Sequence, residues 1–125
     1  MEEKKDFYQL VEEICEKDAR YKADSYEFVL QALTFTQKKF QKEGHVSGKE
    51  LLEGIREFAL QQYGPMAKTV LDHWGITRTS DFGNIVFNMI KKKLLAKTQD
   101  DSSQDFENVY DFQSAFKHTI KDLQI

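Results

Sequence analysis

Apolar residues recur every three or four positions in most of this chain, which predicts a mainly α-helical protein. Five stretches show the pattern over two turns or more, and each carries an apolar stripe on one side. The predicted stripes are Phe7–Cys15, Tyr26–Phe40, Leu51–Ala59, Met66–Trp74 and Phe82–Leu94. The breaks between the last three stretches are short, so these helices should pack as close neighbours.

Residue types typical of helix ends divide the stretches. Asp24 with Glu27, and Ser47 with Glu50, have the spacing of a capping box, which places the second and third helix starts. Gly44 is expected to end the second helix. Gly64 with Pro65 separates the third helix from the fourth, and Gly75 ends the fourth. Thr79 or Ser80 should cap the fifth helix.

The pattern changes after Leu95. Residues 96–99 could form a strand, and the alternation in 106–110 places Phe106, Asn108 and Tyr110 on one face. The DDSSQD segment between the two stretches has the composition of a turn. Three helices followed by a hairpin is the order of a winged helix-turn-helix. We therefore expect a mainly α fold with one small β-hairpin, in which residues 47–110 form a winged-helix-like core. An all-helical bundle without a hairpin is the main alternative.

The expected organisation is a single domain over residues 1–125. Residues 1–44 would supply N-terminal helices packed on the core at 47–110. Residues 111–125 would add a short C-terminal helix that Asp111 caps. Gly54 and Gly83 lie inside predicted helices, where glycine costs about 1 kcal/mol against alanine. Close helix–helix packing is the expected reason for both.

Charge is unevenly distributed along the chain. The net charge is −3, but residues 65–98 hold six bases and two acids, whereas 99–125 hold two bases and six acids. A basic middle is compatible with a local anion-binding face but not with a strongly basic nucleic-acid protein. There is no long apolar run, no basic-then-apolar start and a single cysteine, which together favour a cytoplasmic protein without a membrane span.

Most of the chain, roughly residues 15–116, resembles a small uncharacterised bacterial protein family known by a locus-tag name. The resemblance rests on HVSGKELLEGIREFALQQYGPMAKTVLDHWGI, with DARYKADSYEFVLQAL before it and DFGNIVFNMI and DFENVYDF after it. It implies a bacterial cytoplasmic protein. No activity, ligand or catalytic residue is assigned to that family, so the resemblance supplies no site.

The fifth helix is the candidate contact surface, because its polar face and the turn before it carry side chains that suit nucleic acid or a protein partner. Asparagine can read adenine, arginine can read guanine, and hydroxyls with lysines can hold phosphates. An amphipathic surface helix needs a polar face in any case. The competing interpretation is therefore that these side chains form an ordinary solvent-exposed face. The candidate residues are Thr77, Arg78, Thr79, Ser80, Asn84, Asn88, Lys91 and Lys92.

No pattern for catalysis, metal or cofactor emerges. The histidines form no zinc motif, the glycines no phosphate loop, and Cys15 continues an apolar stripe. We expect a non-enzymatic interaction module that binds protein, including a second copy of itself, with nucleic acid as the alternative. The acidic hairpin tip disfavours DNA. A small enzyme would instead gather several residues around one cleft, chosen from His45, His73, His118, Glu50, Glu53 and Asp81.

Overall fold

The computed structural model describes residues 5–96 and 103–117, and all regular structure in these ranges is helical. The six α-helices are α1 (Phe7–Lys17), α2 (Ala23–Lys39), α3 (Gly48–Tyr63), α4 (Ala67–His73), α5 (Thr79–Lys91) and α6 (Phe112–Ala115). Short 3₁₀ turns cover Gly64–Met66 and Ser103–Phe106. In the described ranges no helix is both long and apolar enough to cross a membrane.

The helix starts show which local sequence signals correctly predicted where a helix begins. The predicted capping box of α3 is confirmed, because Ser47 accepts a hydrogen bond from the Glu50 amide at 3.1 Å while the Glu50 carboxylate accepts one from the Ser47 amide at 2.8 Å. The cap predicted at Asp24 is wrong. Helix α2 begins at Ala23, with Lys22 before it making no side-chain cap, and Asp24 lies in the first turn.

The ends of α2 and α5 also differ from expectation. Helix α2 ends at Lys39, and the chain reverses at Gln41, whose φ is +54°, rather than at Gly44. Thr79 is the first residue of α5 and not its cap, because its hydroxyl donates a hydrogen bond to the Phe106 carbonyl oxygen at 2.6 Å. Gly64 and Gly75 do take the positive φ expected after a helix.

The predicted β-hairpin, and with it the winged helix, is wrong. The segment expected to be the second strand, 106–110, begins on the last residue of the 3₁₀ turn Ser103–Phe106 and continues as irregular chain. The alternation there marks single buried side chains: Phe106 is 2% exposed and its ring stacks edge-on with Phe87. Of the expected first strand only Ala96 lies in the described range, and it is not in a strand. The all-helical alternative is the correct architecture.

Helices α2 and α3 pack along each other and form the centre of the core. Gly54 of α3 permits this contact, since a Cβ added there would lie 1.8 Å from the Thr36 hydroxyl oxygen. Thr36 is fully buried and donates its hydroxyl to the Ala32 carbonyl one turn earlier. The expectation of close helix–helix packing is therefore confirmed at Gly54. At Gly83 the neighbour is Phe106 of the 3₁₀ turn rather than a helix.

Replacing Gly54 by alanine should destabilise the protein, although alanine is the better helix former by about 1 kcal/mol. The added Cβ would lie 2.7 Å from the Cβ of Thr36 as well as against its hydroxyl, so α2 and α3 must separate. Overpacking of this kind costs about 1–3 kcal/mol. We expect urea denaturation to show a lower free energy of unfolding for Gly54→Ala.

Two further variants test the cause. Adding Thr36→Ala to the Gly54→Ala protein should recover part of the lost free energy of unfolding, because the Thr36 hydroxyl is removed while its Cβ remains. Gly44→Ala is the control, since a Cβ at Gly44 meets nothing within 4 Å. A Gly54→Ala protein as stable as the parent would contradict the packing described here.

Candidate functional site

The predicted contact face of α5 is partly covered by the loop between α1 and α2. Asn84 donates a side-chain hydrogen bond to the Tyr21 hydroxyl at 2.9 Å. Asn88 donates to Asp18 at 3.0 Å and to the Tyr26 hydroxyl at 3.1 Å. Both asparagines are half-buried. Their amides therefore hold the 18–22 loop against α5.

Asp81 connects three segments at the start of α5. Its carboxylate accepts a hydrogen bond from the Tyr21 hydroxyl at 2.6 Å, from the Thr77 amide at 2.9 Å and from the Arg78 amide at 3.2 Å. The last of these bonds reaches back to the residue before the helix, as in half of a capping box. Burial, and then the bond to Asp81, raise the pKa of Tyr21 to about 12. The phenol therefore stays protonated and donates at neutral pH.

Asp18 and Arg20 form a bidentate ion pair within the same loop. The Arg20 Nε and Nη2 atoms donate to the two Asp18 oxygens at 2.8 and 2.7 Å. These bonds, with a smaller contribution from Asn88, hold the pKa of the Asp18 carboxyl well below its ordinary range. A parallel pair of this kind fixes the guanidinium plane, which an arginine alone in solvent would not do.

The eight predicted residues fall into two groups. The Thr79 hydroxyl and the side-chain nitrogens of Asn84 and Asn88 form hydrogen bonds within the protein, and Thr79 is only 1% exposed. The others reach solvent at least in part. Those are Thr77, Arg78, Ser80, Lys91 and Lys92.

The solvent-accessible members extend into a larger charged surface that sequence reasoning missed. One polar cleft is lined by Thr77, Arg78 and Ser80. A second is lined by Lys17, Lys91 and Lys92. Arg20 lines both clefts and joins them. We call the five cations Lys17, Arg20, Arg78, Lys91 and Lys92 the basic band.

The negative charges within the basic band are already engaged. The carboxylates that line the two clefts are Asp81 and Asp18, and both accept several hydrogen bonds as described above. Lys92 lies 3.9 Å from Glu13, which also pairs with Lys5 at 2.6 Å. Within residues 5–96 and 103–117, Lys17, Arg78 and Lys91 form no ion pair.

A separate apolar groove lies between α2, α3 and α5. Its volume is about 290 Å³, and the chain leading into α3 closes one edge. Gln37 and Ser47, which line it, have polar atoms in hydrogen bonds, to the Gly44 carbonyl at 2.9 Å and from the Glu50 amide at 3.1 Å. The apolar lining includes Val29, Leu33, Leu51, Val86, Phe87, Ile90, Leu95 and Phe106.

Residues that an enzyme could have used do not meet in these cavities. His45 lines the apolar groove and Asp81 the first polar cleft, whereas Glu50, Glu53 and His73 line none of the three. His118 lies outside the described residues. Among the described positions no three metal-binding side chains gather.

Two other predicted features can be placed. Cys15 is half-buried, its thiol lies 3.8 Å from the Tyr21 carbonyl oxygen, and burial raises its pKa, so it is not an activated thiolate. Of the acidic segment 100–105, only Ser103, Gln104 and Asp105 are described, and they belong to the 3₁₀ turn. Residues 97–102 lie outside the described ranges.

Comparisons of the chain with protein-family models, with curated proteins and with solved structures find no match. The family resemblance noted from the sequence therefore stays a prediction.

Acid should weaken the contact between the 18–22 loop and α5. The folded pKa of Asp18 is lowered from its ordinary value of 3.8, so its stabilising effect is complete above about pH 4 and is lost as pH falls through the folded value. We expect Asp18→Asn to lower the urea midpoint at neutral pH. Its midpoint should also fall less than that of the parent between neutral pH and pH 3.

Asp72→Asn is the matched control. Asp72 is exposed, and within the described part of the chain its carboxylate pairs with Lys68 alone, one turn away at 3.1 Å. Exposed pairs of this type contribute little to stability. Equal effects of the two substitutions at both pH values would show that the Asp18 network does not stabilise the fold.

Proposed function

We propose that this protein is a non-enzymatic interaction module that binds an acidic segment of a protein partner through the basic band. The observation that supports this most is the continuity of the two polar clefts through Arg20, which places five cations on one surface. Five cations and two carboxylates, Asp18 and Asp81, line the two clefts, so the surface carries an excess of positive charge.

The length of the basic band suits a peptide-sized contact. Arg78 precedes α5 and Lys91 ends it, and a helix of 13 residues spans about 20 Å at 1.5 Å per residue. Arg20 lies between them, oriented by Asp18. Complementary charges along such a surface increase the association rate and fix the register of the partner more than they add affinity.

A protein partner is favoured over nucleic acid by the positions of the groups that could read bases. The Asn84 and Asn88 amides, which could recognise adenine from a recognition helix, bond to the 18–22 loop. Tyr21 and Tyr26, the aromatic residues nearest the band, are buried and offer no stacking surface.

Charge reversal in the basic band should abolish this binding. We expect a fluorescein-labelled peptide rich in Asp and Glu, interspersed with Ser and Leu, to bind with an affinity that falls between about 50 and 200 mM salt. The double variant Arg78→Glu with Lys91→Glu should weaken binding about tenfold or more. Fluorescence anisotropy measures both effects.

Two controls test whether the position of the charge matters and whether the partner is protein or nucleic acid. Lys49→Glu reverses an exposed charge outside the band and should leave binding unchanged. Duplex DNA of the same net charge as the peptide tests the nucleic-acid alternative, and tighter binding to DNA would overturn the protein-partner proposal. No salt-sensitive binding to either probe would overturn the role of the band.

Self-association belongs to the same proposal, because a second copy is itself a protein partner. Sedimentation of the parent and the double variant over a range of concentrations tests it. A concentration-dependent dimer that the double variant loses would identify the second copy as the occupant of the band.

A further inference from the structure

We infer that the apolar groove between α2, α3 and α5 binds a small neutral hydrophobic molecule of one or two rings. Among the described residues, the groove shares no lining residue with the two polar clefts that carry the basic band. It is the one cavity of the three described above whose walls are mainly aliphatic and aromatic side chains. Concave apolar sites with a few polar groups at the edge are typical of small-molecule binding.

The volume of the groove determines the size of the ligand. An apolar cavity of about 150 Å³ accommodates benzene. This groove, at about 290 Å³, therefore has room for a molecule of about twice that size, such as a fused two-ring compound. A stable protein–protein interface instead needs about 800 Å² from each partner. A groove of this size is too small to supply that area.

Charge and hydrogen bonding at the groove favour a neutral ligand. The Gln37 amide nitrogen donates to the Gly44 carbonyl, and the Ser47 hydroxyl oxygen accepts from the Glu50 amide. Among the described residues that line the groove, His45 is the one ionisable side chain, and there is no lysine, arginine, aspartate or glutamate. A charged ligand would lose its hydration without gaining an opposite charge.

The sequence between two walls of the groove is polar. Leu95 and Ala96 form one wall and Phe106 another, and the chain between them passes through residues 97–102. These residues read KTQDDS and carry no large apolar side chain. Burial of such charged side chains against an apolar wall would desolvate them without compensation.

Indole is a suitable probe because it is neutral and has two fused rings. In methyl NMR spectra of the full chain, we expect saturable shifts of Val29, Leu33 and Val86, which line the groove from two helices. Leu95→Trp should fill the space and weaken indole binding about tenfold or more. Leu33→Phe is the second filling variant, in case the first perturbs the fold.

Leu60→Trp is the matched control, because Leu60 is also half-buried against the core but does not line the groove. It should leave indole binding unchanged. Saturable shifts confined to the groove, lost in the filling variants alone, support the site. Absence of saturable shifts, or shifts of methyl groups elsewhere, would overturn it.

Two other occupants can be recognised in the same samples. Nuclear Overhauser contacts from Ile120, Leu123 or Ile125 to the groove methyl groups in the free protein would show that the C-terminal segment fills it. A concentration-dependent dimer that Leu95→Trp abolishes would show that a second copy does. Either result would overturn the small-molecule proposal.

Discussion

The hydrogen bonds between the polar face of α5 and the 18–22 loop determine how the helices are arranged. The Asp81 carboxylate accepts hydrogen bonds both from Tyr21 of that loop and from the backbone of the turn before α5, and so connects the two segments. The Lys22 amide also donates to the Trp74 carbonyl at 3.1 Å, and Gly75 leaves room for the Arg20 carbonyl, which a Cβ there would meet at 2.2 Å. Buried polar groups must be paired, so the loop can occupy only a position that satisfies them all.

The basic band follows from this constraint. Arg20 would be a mobile surface side chain if Asp18 did not hold its guanidinium, and Asp18 is itself positioned by Asn88. The loop thus brings cations of the N-terminal region beside those of α5, although Lys17 and Lys91 are far apart in sequence. The five cations of the basic band outnumber the two carboxylates that line the clefts, and this excess of positive charge is the physical basis of the proposed binding surface.

Local interactions were predictable from the sequence and long-range ones were not. The apolar periodicity located all five long or medium helices, and Ser47 with Glu50 located a start, because those signals act within one turn. Alternation near Phe106 was interpreted as a strand, yet an isolated large side chain that fits against Gly48 and Gly83 produces the same pattern. Nothing in the sequence paired Asn84 with Tyr21, since a polar helix face looks the same whether water or a loop covers it.

The glycine at position 83 shows how that ambiguity could have been reduced. Glycine inside a helix has a cost that packing must offset, and here the small residue admits Phe106, whose Cβ would lie 2.8 Å from an added Cβ. The same helix presents Val86 and Phe87 to the apolar groove, and Asn84 to the loop. Helix α5 is therefore covered on more than one side, and the surfaces left for contact lie at the margins where it meets neighbouring segments. Both proposed sites lie at such margins, where residues from different segments meet.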